Sequence, residues 1–232
     1  MTKYGKTSHN SPWVPRFEQC WQPLMAEGIC KTYNYGETIF EQGEKKYGLF
    51  YLHQGRIKVS LLSANGAEKI LSIHEAPTTF GEVVVFDTHP FFATAIALNE
   101  CKVYFVPKAN LEKIVETHPQ MVFKLFQANA RKLRILALQL EDLTFLDSPC
   151  RIAHMLLKLA SDYGVDTPEG ISIMLPITHQ ELADVTSVSR TTVTVILNDF
   201  SRAGLIAKKR KMLIIRDPMR LEMLLEQDRK EQ

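Results

Sequence analysis

Between Pro176 and Ile206 the chain holds two segments in which side-chain oxygens stand at helix-capping distance from a backbone amide. Thr178-His179-Gln180-Glu181 has the reciprocal pattern, in which the threonine oxygen accepts from the amide three residues on and the glutamate reaches back. Thr186-Ser187-Val188 then reads as a tight turn, and Ser189 as the cap of a second helix ending near Phe200. Val193, Ile196, Leu197 and Phe200 recur at threes and fours and predict its buried stripe. The opposite face presents Thr191, Thr194, Val195, Asn198 and Arg202, with Arg190 at its leading edge. Small and polar groups on the outer face of a short helix can bond base edges and pack on thymine methyls, which is the chemistry of a major-groove reader. Gly204-Leu205-Ile206, a basic turn and Met212-Leu213-Ile214-Ile215 follow, and predict a β-wing whose lysines touch phosphate instead of bases. The expected DNA contacts are Thr178, Ser189, Arg190, Thr191, Thr194, Val195, Asn198, Lys208 and Lys209.

Charge agrees with that assignment locally and not globally. The formal net charge is only +2, yet Thr186–Arg216 holds seven basic residues against one acid, Asp199. Arg210 and Lys211 are among the seven. No Walker loop, zinc-ligand pattern or catalytic triad is present, so an enzyme is not expected. Cys20, Cys30, Cys101 and Cys150 are widely spaced and read as free, packed thiols. Met1 to Asn10 lacks the apolar core of a secretory signal, and no apolar run reaches the ~18–20 residues of a membrane span. A cytoplasmic protein without a membrane partner is expected.

The elements that must carry these groups change character along the chain. Thr32 to Val106 reads as short strands punctuated by Gly36, Gly43, Gly55, Gly66 and Gly81, and predicts a small barrel or roll. Asn65-Gly66 is a hairpin signal. After Pro107 the period becomes helical, with a short helix over Asn110–Glu116 and a long one over Gln120–Leu143. Val122, Leu125, Phe126, Leu133, Leu136, Leu140 and Leu143 form one stripe along the long helix, which predicts pairing with its twin in a homodimer. Asp147-Ser148-Pro149 then caps a new helix running to Tyr163. The expected organisation is α+β: a β-roll over residues 1–119, a dimerisation helix and hinge over 120–147, and a winged helix-turn-helix over 148–232.

Ile177-Thr-His-Gln-Glu-Leu-Ala-Asp-Val, Ser189-Arg-Thr-Thr-Val and Ala203-Gly-Leu-Ile206 resemble the helix-turn-helix of the Crp/Fnr regulator family. Phe145-Leu-Asp-Ser-Pro-Cys-Arg-Ile-Ala153 resembles that family's hinge. Gly36-Glu37, Gly43-Glu44, Gly55 and Phe80-Gly81-Glu82 match its roll glycines, so the resemblance runs from about Lys31 to Leu225. It implies a cyclic-nucleotide-binding-type roll, an effector-controlled winged helix, a near-palindromic double-stranded DNA site and RNA polymerase as a partner.

The departures from the family pattern concern the effector. Cyclic-AMP-binding members carry an Arg-Ser pair that grips the phosphate, where this chain has Phe92 and Ala93. Leu136 and Ala137 align with the pair that contacts adenine, so cyclic AMP is not the expected ligand. The chain looks most like the branch that senses halogenated aromatics, through Gly66-Ala67-Glu68-Lys69-Ile70-Leu71 and Phe92-Ala93-Thr94-Ala95. Gly81, Glu82, Phe91, Phe92, Lys132 and Leu136 are then the effector-site candidates, the phenylalanines for a ring and Lys132 for a phenolate or carboxylate. The alternative is a redox or gas sensor using thiols, an iron–sulfur cluster or a haem, with His53, His74 and His89 as candidate axial ligands. No cofactor is assigned.

Overall fold

A computed structural model describes residues 11–14, 21–209 and 212–231, the last five by backbone alone. Met1–Asn10, Cys20, Arg210 and Lys211 lie outside the described residues. The chain divides into two compact units, one spanning Pro12–Leu133 and the other taking the chain from Arg134 on.

The first unit is a roll of two sheets. Its elements are β1 (Trp13–Val14), α1 (Gln22–Ala26), β2 (Ile29–Tyr33), β3 (Thr38–Phe40), β4 (Gly48–Gln54), β5 (Arg56–Leu62), β6 (Glu68–Glu75), β7 (Thr78–Phe80), α2 (Val83–Phe86), β8 (Thr94–Ala97), β9 (Cys101–Pro107) and α3 (Lys108–Thr117). One sheet has the order β1-β6-β5-β8-β3 and the other β2-β9-β4-β7. Between them Phe40, Phe50, Phe80 and Phe91 form an aromatic core, and the Phe40 and Phe91 rings stack at 3.9 Å between centroids. Ring pairs of this kind contribute roughly 0.5–1.5 kcal/mol each beyond their buried area. The hairpin β5–β6 turns where Asn65-Gly66 predicts it, but only Gly66 takes positive φ, at 83°. Asn65 instead uses its side chain, whose Oδ1 accepts from the Ala67 amide.

The long helix α4 (Gln120–Phe145) contributes to both units. Its first half belongs to the roll: Met121 and Leu125 are buried in the roll core. Leu125 therefore leaves the expected stripe, because its position turns one residue away from the heptad of Phe126, Leu133 and Leu140, all of which stay exposed. Val122 and Leu143 are also exposed, and Leu136 is half-buried.

The second unit contains α5 (Ser148–Tyr163), β10 (Gly164–Thr167), β11 (Gly170–Ile173), α6 (His179–Thr186), α7 (Arg190–Arg202), β12 (Ile206–Lys209), β13 (Met212–Ile215) and α8 (Pro218–Glu231). Asp147 caps α5 by accepting from the Cys150 amide at 2.8 Å, with Pro149 in the first turn. The α5 face of Ile152, Ala153, Leu156 and Leu159 is buried, and α5 packs on α6 and α7. The sheet order is β10-β11-β13-β12, with β12 and β13 antiparallel in register Lys208↔Leu213 and Lys209↔Met212.

Two polar clusters brace this unit. Asp142, near the end of α4, is buried and bonds His154 Nδ1 at 2.9 Å and Lys158 Nζ at 2.7 Å, both on α5. Burial alone would raise the Asp142 carboxyl. The His154 bond and the adjacent Lys158 charge outweigh that and hold it below the ordinary carboxylate range. Arg151 donates from Nη1 to the Leu146 carbonyl, from Nη2 to Ser148 Oγ and from Nε to the Thr186 carbonyl. One guanidinium thus ties the α4–α5 connection to the last residue of α6.

Candidate nucleic-acid interface and roll interior

The DNA-facing candidates come together on α6, α7 and the wing. Thr178 caps α6 by accepting from the Glu181 amide at 3.1 Å, while Glu181 Oε2 accepts from the Thr178 amide at 2.8 Å. Ser187 closes α6 in the left-handed region, at φ 54°. Ser189 caps α7 by accepting from the Thr192 amide at 3.0 Å. Val193, Ile196, Leu197 and Phe200 are buried beneath α7, and Arg190, Thr191, Val195 and Asn198 are exposed on its outer face. The 3.6-residue period read from sequence is therefore the one the helix uses.

Several of these groups are held by neighbours. The Thr194 hydroxyl donates its proton to the Arg190 carbonyl, and His179 Nδ1 lies 2.9 Å from the Thr194 hydroxyl oxygen, so the histidine is the donor to that oxygen. Asn198 Oδ1 accepts from Lys208 Nζ at 2.7 Å, which joins the wing to α7. Lys209 pairs with Glu169 at 2.5 Å, and this bond and charge hold the Glu169 carboxyl low. Burial, Lys208 and Arg190 together push the His179 imidazole below its ordinary value, and burial lowers Lys208 as well. His179 escapes the sequence reading because its contact crosses from one helix to the next, and only its place as the first residue after a cap signals it.

In the roll, Gly81 takes φ +69°, and a Cβ there would meet Phe40, Phe50 and Phe91 at 3.0–3.3 Å. Glu82 follows it and is almost fully buried. Its Oε1 accepts from Lys132 Nζ at 2.7 Å, and Lys132 also donates to the Thr79 carbonyl at 2.8 Å. Lys132, Glu82 and Gly81 are thus one cluster, 50 residues apart in sequence at the ion pair. The other candidates are not gathered with them in the same way. Phe91 is core, stacked on Phe40, whereas Phe92 is half-exposed and Leu136 belongs to the second unit. Val83–Thr94, including the positions of the missing Arg-Ser pair, contains no lysine or arginine.

The other titratable candidates differ in setting. His53 and His89 are exposed. His74 is fully buried, and burial together with the Lys132 charge pushes its pKa well below the ordinary histidine value. Cys101 is buried and donates to the Arg56 and Asn99 carbonyls; burial raises its thiol, which makes thiolate scarce. Cys150 is buried and Cys30 exposed.

Residues 30–118 match the cyclic nucleotide-binding domain, and residues 150–224 the Crp-like helix-turn-helix domain. A CRP-like cAMP-activated global transcriptional regulator of Mycobacterium tuberculosis is 31% identical over 186 residues, covering 80% of this chain and 83% of its own. A global nitrogen regulator of Synechocystis is 26% identical over 216 residues, covering 92% and 96%. Among solved structures, a CooA mutant from Carboxydothermus hydrogenoformans superposes with a TM-score of 0.80 at 23% identity, over 90% of this chain and 92% of that one. An OCPA-complexed CprK superposes at 0.79 with 20% identity, over 93% and 97%, which is a likeness of fold alone.

Proposed function

Because the chain belongs to the Crp/Fnr family of DNA-binding transcription regulators, we propose that it acts as a homodimer whose roll responds to a small organic molecule instead of cyclic AMP. The observation that carries the DNA-binding half is the outer face of α7. Arg190, Thr191, Val195 and Asn198 are exposed there over a buried apolar stripe, beside the wing lysines. The exposed heptad of Phe126, Leu133 and Leu140 supports a two-fold pair of α4 helices. Such a dimer binds a near-palindrome with half-sites one helical turn apart, roughly 34–36 Å. It works in the cytoplasm with RNA polymerase, as the family implies.

The effector assignment is supported by what the roll offers a ligand. A cyclic phosphate needs a cationic cradle, and the segment from Val83 to Thr94 supplies none. Gly81, Glu82 and Lys132 remain the effector-site core, with Phe92 as the exposed ring at the position of the missing phosphate grip. An aromatic effector of the kind sensed by the halogenated-aromatic branch fits this apolar setting. Selection from randomised duplexes tests the DNA half, with half-sites rich in A·T expected because Thr191 and Val195 can pack on thymine methyls. A GC-rich selected half-site refutes that assignment. Calorimetry tests the other half: saturable cyclic-AMP binding refutes it.

A further inference from the structure

We propose that Lys208 of the wing orients Asn198 of α7 so that this side chain reads a base edge as a hydrogen-bond donor only, selecting guanine or thymine over adenine or cytosine on the contacted strand. This rests on α7 being the DNA-reading helix and specifies what one of its residues recognises. Thr191, Thr194, Val195 and Asn198 stand at i, i+3, i+4 and i+7 along α7, a spacing that brings side chains together on one face of a helix lying in the major groove. Asn198 is exposed on that face. An asparagine free to turn pairs with adenine, its oxygen accepting from the N6 amino group and its own amino group donating to N7. Asn198 is not free to turn. Its Oδ1 accepts from Lys208 Nζ at 2.7 Å, and a lysine offers donors and no acceptor, so the amide must keep its oxygen toward the wing. The Nδ2 hydrogens then have no partner among the described residues.

The turn between α7 and β12 keeps the lysine in that place. The Leu205 amide donates to the Phe200 carbonyl at 2.9 Å, and the Arg216 amide donates to the Leu205 carbonyl at 2.9 Å, so the chain leaves α7 for the wing along a pinned path. Two acids stand nearby, and both are taken: Asp199 pairs with Arg202, and Glu169 with Lys209. Neither carboxylate draws Lys208 away from the amide. Lys208 keeps further N–H groups for a phosphate oxygen, so a backbone contact and the orientation of Asn198 coexist. Guanine offers O6 and N7, and thymine O4, as acceptors to the Asn198 amino group. Adenine and cytosine set an amino group of their own against it. Donor then faces donor, and a polar group left unmatched on desolvation carries the penalty that discriminates between bases.

Selection from randomised duplexes with the full-length protein tests this, read as the base pair at the position that responds to residue 198. The wild-type protein is expected to prefer G·C and T·A, first base on the contacted strand, over A·T and C·G by at least about fivefold. Asn198→Ala should erase that preference. Lys208→Met frees the amide to pair with adenine, so A·T, disfavoured by the wild type, should become the favoured pair there. Lys208→Arg still only donates and should restore the wild-type choice. Asn198→Asp replaces the donor by an acceptor and should invert the choice to A·T and C·G. All of these substitutions fall on exposed side chains and leave the core intact. If Lys208 serves a phosphate alone, Lys208→Met weakens every duplex and changes no base frequency, and that result overturns the proposal. A choice that Asn198→Asp leaves standing also overturns it. A selected site with no position sensitive to residue 198 removes this inference and spares the DNA-reading role of α7. Enrichment of no sequence at all removes both.

Discussion

Replacing Asp142 by alanine is expected to loosen the second unit more than any single surface change. Asp142 is buried and bonds both His154 and Lys158, and the Lys158 side chain is itself only 9% exposed. Removing the carboxylate leaves that ammonium buried without its counter-charge. Breaking such a pair costs about 3–5 kcal/mol, a large part of the ~5–15 kcal/mol that stabilises a typical domain. For a unit of roughly a hundred residues, each kcal/mol moves the melting midpoint by about 4–8 °C. The α5 amides should therefore exchange much faster, and the second unit should melt at least about 12 °C lower. Acid should mimic the mutation. The Asp142 carboxyl sits below its ordinary value when folded, so its contribution is present above the unfolded carboxylate pKa of about 3.9 and lost as pH falls through the lower folded value. Hydrogen exchange and calorimetry of Asp142→Ala, Lys158→Met and the double variant provide the check. The double variant should recover much of the loss, because no buried charge is then stranded. A loss under about 1 kcal/mol in Asp142→Ala, the range of exposed pairs, refutes the reasoning.

Other expected outcomes concern DNA and assembly. Arg190→Ala should cost on the order of 1–3 kcal/mol on the selected site if Arg190 pairs with a base, whereas Lys209→Ala should weaken all duplexes alike and reduce the salt slope by about one; undiminished specific affinity in Arg190→Ala removes it from the interface. His179 is held below its ordinary pKa in the free protein, and a nearby phosphate raises it, so DNA binding takes up a proton and affinity should rise as pH falls below neutrality. His179→Ala should flatten that profile, and an unchanged pH slope shows that no phosphate approaches it. Leu133→Glu, on the exposed heptad, should shift sedimentation to the monomer and lose DNA affinity with it; an unaltered dimer refutes the α4 pairing.

How much of this could be read from sequence depends on the distance over which each feature is encoded. Helix ends are written locally: the Asp147, Thr178 and Ser189 caps lie within three residues of the amides they bind. The α7 face was legible for the same reason, since one period fixes both its buried and exposed sides. Leu125 and Phe126 could not be told apart, because a stripe defines a helix face without saying which neighbour covers it. Glu82 and Lys132, Asp142 and Lys158, and the tie from Arg151 to Thr186 join residues 16 to 50 positions apart. No local pattern encodes such pairs. His74 shows the cost of that limit: a lone histidine near a strand end reads equally as a surface residue or a satisfied one, and it is fully buried.

Gly81 has a further consequence for how such a protein changes over generations. Its missing side chain lets the Phe40, Phe50 and Phe91 rings press directly against the backbone that carries Glu82. Any change in the size of those rings shifts that backbone, and with it the carboxylate that faces the roll interior. Variation in a ring of the hydrophobic core can thereby retune what the domain answers to. New responses can then arise in the family while every polar group that meets the ligand is inherited unchanged.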